Sequence, residues 1–220
     1  MNWIELRDYF LELTTKQRRQ LQKKKWYHAT LERHLESLKK GIRADYNTGR
    51  ELDFGAGFYI TSDFEQACKY INAQVSALNN GLGSEQTFLE TSKDVGIVLE
   101  FCIENFEEIF TSSEYCCHYF AKHKQSEDGI DFAEFVFENR IHTGIPKHQF
   151  DFIYGVQTDD NPTQVIVQYE AGELSKQEVL ENFRQPYSFK QLSIHNQEFC
   201  DIMKIDKVYL SDTGKELDQW

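Results

Sequence analysis

Proline is scarce in this sequence, and basic residues are fewer than acidic ones. Only 3 of the 220 residues are proline, while hydrophobic residues make up 40% and charged residues 27%. This composition excludes a disordered chain, and the length suits one domain with a full core or a domain with an appendage. Aspartate and glutamate number 36 against 24 lysine and arginine residues, for a net charge of -12. Such a surface repels phosphate backbones and anionic lipid, which disfavours non-specific binding to nucleic acid or membranes.

Long apolar runs and metal-binding motifs are also missing. No stretch approaches the roughly 18 apolar residues needed to span a bilayer, and residues 1–8 carry acids where a signal peptide is apolar. We therefore expect a cytoplasmic protein that does not bind membranes. The five cysteines are odd in number and lack metal-ligand spacing, so we expect reduced thiols. Asp159-Asp160-Asn161 has no further spaced acids and favours a turn, so no metal is expected.

Hydrophobic periodicity predicts an α+β fold in which strands and short helices alternate irregularly. Apolar residues at helical spacing predict an N-terminal helical extension over residues 1–25, followed by one domain over residues 26–220. Helices are predicted after residue 30, from the capping box Ser62-x-x-Glu65, over 131–139, from Ser175-x-x-Glu178 and after Asn196. Strands are predicted over 26–30, 58–61, 97–103, 150–156, 163–169, 189–195 and 206–210. Residues 111–130 give no clear prediction.

Several familiar catalytic motifs are excluded. The block Phe54-Gly-Ala-Gly-Phe58 lacks the third glycine of a Rossmann fingerprint and leads into a strand instead of a helix, and it is not a P-loop. The sequence contains no HExxH and no GxSxG motif. Zinc-dependent hydrolysis and ordinary serine hydrolysis therefore have no support.

Three separated blocks remain: His28-Ala29-Thr30, FGxGFYxT from Phe54 to Thr61, and QxSxH from Gln191 to His195. In this order, over about residues 26–210, they resemble the ADP-ribosyltransferase superfamily. The chain most resembles a bacterial family of domains of unknown function placed in that superfamily. The FGxGFYxT block is also similar to that of poly-ADP-ribose polymerases. The resemblance implies a split β-sheet core with short helices, and NAD+ as the substrate.

The catalytic trio of the superfamily is usually His, Tyr and Glu. His28 and Tyr59 match the first two places, and Gln191 takes the third. The resemblance implies that His28 hydrogen-bonds a ribose hydroxyl and that nicotinamide stacks on Tyr59, with Tyr70 as a second ring. Ala29 stands where many relatives have glycine, but the contact expected there uses backbone groups. The implied NAD+ contacts are His28, Ala29, Thr30, Phe54, Gly57, Phe58, Tyr59 and Tyr70.

Core packing is the competing interpretation of two of these residues. Taken alone, a histidine in the aromatic strand of His28 and a tyrosine between Phe58 and Ile60 are more typical of a protein core. Gln191 differs, because it shares a strand face with Ser193 and His195 while apolar neighbours take the other face. We therefore expect Gln191 on a polar face, where it can contact a ligand.

The expected function is NAD+-dependent mono-ADP-ribosyl transfer by a catalytic domain over residues 26–220. A neutral amide accepts a hydrogen bond more weakly than a carboxylate, so Gln191 predicts mono-transfer or slow turnover instead of chain elongation. The acceptor is unidentified, with protein favoured over nucleic acid, and the resemblance suggests a bacterial toxin or effector. An NAD+ glycohydrolase and a non-catalytic NAD+ or ADP-ribose binding module remain alternatives.

Overall fold

A computed structural model describes residues 13–46, 49, 52–80, 93–124, 129–142, 146–158, 162–185, 187–218 and 220. These residues form eight α-helices and two β-sheets. The mixed α+β class is the one that the periodicity predicted. The helices are α1 (Thr15–Leu21), α2 (Leu35–Lys40), α3 (Phe64–Asn79), α4 (Phe106–Thr111), α5 (Phe132–Ile141), α6 (Pro162–Glu170), α7 (Lys176–Phe183) and α8 (Gln197–Ile202). The strands are β1 (Lys25–Leu31), β2 (Phe58–Ile60), β3 (Gly96–Cys102), β4 (Cys117–Phe120), β5 (Phe152–Val156), β6 (Lys190–Ile194) and β7 (Lys207–Leu210).

The chain divides into two compact units. The first unit comprises residues 1–22, 43–59 and 105–200, and the second comprises 23–42, 60–104 and 201–220. The predicted boundary between residues 25 and 26 stays a prediction. Residues 1–12 of the predicted extension and the predicted turn at Asp159-Asp160-Asn161 lie outside the described residues.

The four-stranded sheet, in the order β2-β6-β5-β4, organises the first unit. Its central strand β5 runs antiparallel to β6 and parallel to β4. Every residue of β5 is buried, which fits a strand covered on both faces. One large cluster contains the apolar side chains of α5 and α7 together with Phe54, Phe120 and Ile153. Phe152 packs separately against Phe106 and Phe199, at ring centroid distances of 6.0 and 4.9 Å.

The three-stranded sheet, in the order β1-β3-β7, organises the second unit and is antiparallel throughout. Helix α3 packs on one face of it, where Ala67 and Ile71 meet Leu31 and Val98. Tyr27 and Ala29 also pack against this cluster. Because strand side chains alternate between faces, His28 projects from the face opposite α3.

Three details differ from the sequence-based expectations. Residues 163–169 form part of helix α6 and not a strand, so that prediction was wrong. Its β-branched apolar run is compatible with a strand or a helix. Pro162 favours the helix because proline suits a first helical turn. Val165, Ile166 and Tyr169 contact the core at helical spacing. Asp63, not Ser62, caps α3 by accepting a hydrogen bond from the Gln66 backbone. The unassigned segment 111–130 contains the short strand β4.

The predicted caps of α7 and α8 are confirmed. Ser175 and Glu178 form the capping box, and Asn196 Oδ1 accepts a 2.9 Å hydrogen bond from the Phe199 backbone. Across the described ranges, no helix combines the length and the apolar character needed to cross a membrane.

Candidate functional site

Tyr59 holds the loop of residues 53–57, which precedes strand β2. Its hydroxyl donates to Gly55 O at 2.7 Å and accepts from the Phe54 backbone N–H at 3.0 Å. Its half-buried ring lies nearly parallel to Phe54, with centroids 6.4 Å apart and an interplanar angle of 18°. The hydroxyl of Tyr59 therefore has a structural task in this loop, separate from any role of the ring.

Two histidines bind the neighbouring carbonyls of the same loop. His148 Nε2 donates to Phe54 O at 2.8 Å, while its Nδ1 accepts from the Phe150 backbone N–H at 3.1 Å. His195 Nδ1 donates to Ala56 O at 2.7 Å. Burial lowers the pKa of His148 well below its usual value and lowers the pKa of His195 to about 4. Both imidazoles are therefore neutral at pH 7, and each donates its one N–H to a carbonyl oxygen of the loop.

The two glycines of the loop are required by its packing. Gly55 has a φ of +79°, and a Cβ atom there would lie 2.9 Å from Asn139 Oδ1. A Cβ atom on Gly57 would lie 2.8 Å from His195 Cε1. Since real Cβ atoms essentially never approach so closely, both positions need glycine for reasons independent of a ligand.

Asp53, at the start of the loop, is the centre of a buried polar network. Its Oδ1 accepts from Arg140 Nε at 3.0 Å, Arg140 Nη2 at 2.7 Å and Thr158 Oγ1 at 2.7 Å. Its Oδ2 accepts from the Thr158 backbone N–H at 3.0 Å and from Gln191 Nε2 at 2.7 Å. Asp53 is 4% exposed and Arg140 2%, so this carboxylate and guanidinium form a buried ion pair with additional donors.

Gln191 therefore points its amide nitrogen inward. A carboxylate only accepts hydrogen bonds, so the atom facing Asp53 Oδ2 is Nε2 and not Oε1. No donor among the described residues hydrogen-bonds Gln191 Oε1. The side chain is 7% exposed and lies on the strand face that also carries Ser193 and His195, whose Oγ and Nε2 atoms are 2.9 Å apart. The arrangement leaves one amide oxygen as an available acceptor.

The other predicted site residues divide between the two units. Tyr59 and Gln191 belong to the first unit, whereas His28 and Tyr70 belong to the second. His28 is half-buried on β1 and pairs with Leu99 of β3. Tyr70 is 47% exposed on α3.

Most of the other residues predicted to contact NAD+ pack against neighbouring protein residues. Ala29 lies on the α3 face of its strand, and Thr30 Oγ1 is 3.2 Å from His34 Nδ1. Phe54 and Phe58 are buried, at 0% and 4% exposure. Both side chains therefore contribute to the core, and the predicted NAD+ contacts of these four residues stay predictions.

Sequence reasoning missed Asp53, Arg140, Thr158 and His148. One signal was available, because Arg140 lies in the last turn of a helix in which Phe132, Phe135 and Val136 are all buried. A charged side chain on such a helix needs a buried partner. Nothing in the sequence pattern identified Asp53 as that partner.

One group of possible metal ligands occurs in the described part of the chain. Ligand atoms of Glu100, Cys102 and Asp206 lie within 4.8 Å of one another in the second unit. Lys25 Nζ lies 2.9 Å from Glu100 Oε1, and the Tyr209 hydroxyl donates to Glu100 Oε2 at 3.0 Å. Lys25 and Tyr209 already bind the buried carboxylate of Glu100, so we interpret the group as an ion-pair cluster. The expectation of no metal stays a prediction.

Residues 37–205 match the family described as "Protein of unknown function (DUF3990)". This range contains two of the three blocks, FGxGFYxT and QxSxH. Comparisons with curated proteins and with solved structures gave no match.

Proposed function

The chain belongs to the DUF3990 family, and we propose that it is an NAD+-dependent mono-ADP-ribosyltransferase. The observation that carries the proposal is the orientation of Gln191, whose Oε1 is available while Asp53 binds its Nε2. The two sheets with short helices are compatible with the split β-sheet core that the resemblance to ADP-ribosyltransferases implies. The glycine-bearing part of the FGxGFYxT block forms an ordered loop that hydrogen bonds from Tyr59 hold in place.

The reaction makes modest demands on the protein. Nicotinamide leaves NAD+ from a cationic state, so departure needs little acid catalysis, and positioning with charge stabilisation dominates. The transition state has oxocarbenium character, which a hydrogen bond from the 2′-hydroxyl of the ribose to an acceptor stabilises. In this proposal Gln191 Oε1 is that acceptor. Because it is neutral, it favours single transfers over chain elongation.

Tyr59 supplies the stacking surface for nicotinamide in this proposal. Its ring is half-buried and its hydroxyl is bound within the loop, so the ring cannot rotate freely. A fixed aromatic face costs little entropy when a flat heterocycle stacks on it. The roles of His28 and Tyr70 rest on the resemblance alone, as do a protein acceptor, a cytoplasmic site of action and a toxin or effector role.

Incubation with radiolabelled NAD+ tests the proposal against its alternatives. Label on a protein acceptor supports transfer, whereas free ADP-ribose with nicotinamide identifies a glycohydrolase. Intact NAD+ with measurable binding identifies a non-catalytic module, and intact NAD+ without binding refutes any use of NAD+.

Gln191→Ala is the decisive variant. Loss of the acceptor should lower turnover about 10- to 100-fold, equivalent to about 1.4 to 2.7 kcal/mol of transition-state stabilisation, with a smaller change in NAD+ affinity. Gln185→Ala is the matched control, because this glutamine is exposed in the same unit. Equal turnover in both variants would remove Gln191 from the site.

A further inference from the structure

We propose that Asp53 is a positioning residue that decides which atom of Gln191 faces the ligand, and that it makes glutamine, instead of glutamate, the side chain this position accepts. The inference rests on the proposed function in one respect, namely that Gln191 Oε1 meets a hydroxyl of the NAD+ ribose. The orientation of Gln191 itself depends only on contacts within the first unit.

The amide of Gln191 has one favourable orientation. Turning it by half a revolution would exchange Nε2 for Oε1 and bring two acceptors together where a 2.7 Å hydrogen bond now exists. A buried acceptor without a donor costs more than an exposed one, since water does not replace the lost partner. The available oxygen of Gln191 is thus set by the carboxylate behind it.

Asp53 itself is held in place. The guanidinium of Arg140 contacts its Oδ1 through two nitrogens, at 3.0 and 2.7 Å, and the Thr158 hydroxyl contacts the same oxygen at 2.7 Å. Rotation of the carboxylate would break these bonds in a buried setting. The network therefore links helix α5, which carries Arg140, to the side chain of Gln191 on strand β6.

A glutamate at position 191 would meet this network unfavourably. One of its oxygens would take the place of Nε2, at the 2.7 Å distance that now separates Nε2 from Asp53 Oδ2. Two carboxylates in contact cannot both be ionised in a buried site, so the pair would retain a proton. Glutamine provides the same shape, one donor for Asp53 and one acceptor for the ligand. This accounts for the departure from the usual His, Tyr and Glu trio.

The test compares wild type, Gln191→Glu, Asp53→Asn and the double variant by urea unfolding at pH 5 and pH 8. We expect the urea midpoint of Gln191→Glu, relative to wild type, to fall as the pH rises. At higher pH the unfolded chain releases the shared proton, whereas the folded pair still holds it. Gln185→Glu, on the exposed surface of the same unit, should show no such fall.

The double variant provides the rescue. It places an amide opposite a carboxylate again, with donor and acceptor exchanged, so it should recover part of the midpoint lost by Gln191→Glu at pH 8. Full recovery is not expected, because the Thr158 backbone N–H loses its carboxylate acceptor. A Gln191→Glu midpoint that follows wild type at both pH values would overturn the inference, even if Asp53→Asn alone fails to fold.

A kinetic measurement separates this inference from the proposed function. Per folded molecule, Asp53→Asn should lower kcat for nicotinamide release at least about tenfold while KM changes less, as expected for a misdirected acceptor. Unchanged kcat in folded Asp53→Asn would overturn the positioning role. If wild type releases no nicotinamide, the proposed function fails, whereas the unfolding measurements still decide whether Asp53 dictates the residue at position 191.

Discussion

Tyr59→Phe removes one oxygen atom and tests whether the hydroxyl and the ring of Tyr59 have separate tasks. The hydroxyl makes two hydrogen bonds to the backbone of the loop, at 2.7 and 3.0 Å, and Phe54 and Gly55 are both buried. At about 1 kcal/mol for each bond, we expect a loss of about 2 kcal/mol in the free energy of unfolding. For a chain of this size, the melting temperature should fall by about 4 to 8 °C.

The ring remains in Tyr59→Phe, so NAD+ affinity should stay within about twofold of wild type, whereas Tyr59→Ala should weaken binding about 5- to 150-fold through lost stacking. Differential scanning calorimetry gives the melting temperature, and isothermal titration with NAD+ gives the affinity. Tyr169→Phe is the matched control, because the Tyr169 hydroxyl makes no hydrogen bond to the described residues. A Tyr59→Phe protein that melts like wild type but binds NAD+ as weakly as Tyr59→Ala would show that the hydroxyl serves the ligand and not the loop.

Two further predictions concern histidines. Burial lowers the pKa of His195 to about 4 from an ordinary value of 6.5, so its neutral form stabilises the fold above about pH 6.5, and this contribution is lost as the pH falls towards 4. Urea unfolding should show a loss of about 2 to 3 kcal/mol between pH 7 and pH 4 that His195→Gln largely lacks; equal pH dependence in both proteins would contradict it. His28→Ala should abolish NAD+ turnover with little change in melting temperature; the opposite pattern, a large fall in melting temperature with activity per folded molecule intact, would assign His28 to the core.

Elements with a strong local sequence signal were predictable, and the exceptions have physical causes. The segment of β5 is a continuous apolar run, and the caps Ser175 and Asn196 mark helix starts by side-chain chemistry alone. Helix α6 was mistaken for a strand because its β-branched residues fit either period, and packing of Val165, Ile166 and Tyr169 against the core selects the helix. Strand β4 is four residues long and depends on its parallel partner β5, a non-local contact that no short window contains.

The candidate site was also predictable from the sequence only in part. Periodicity placed Gln191, Ser193 and His195 on one strand face, as their contacts with Asp53 and Ala56 bear out. The sequence could not show that this face is buried under a polar network, because Asp53 and Gln191 are 138 residues apart in the chain. Long-range hydrogen bonds between side chains leave no periodic trace.

The dense bonding of the 53–57 loop has an evolutionary consequence. Three successive carbonyls, those of Phe54, Gly55 and Ala56, are each bound by a side chain, and Gly55 and Gly57 admit no larger residue. Under the proposed function, a descendant that had lost all use of NAD+ would still be under selection to keep this block, because these bonds and close contacts hold the loop in place. A loss of the proposed activity would instead be expected to accompany substitutions at positions 53 and 191, where an amide faces a carboxylate. If the proposed function holds, positions 53 and 191 are a more informative marker of activity among relatives than the glycine block.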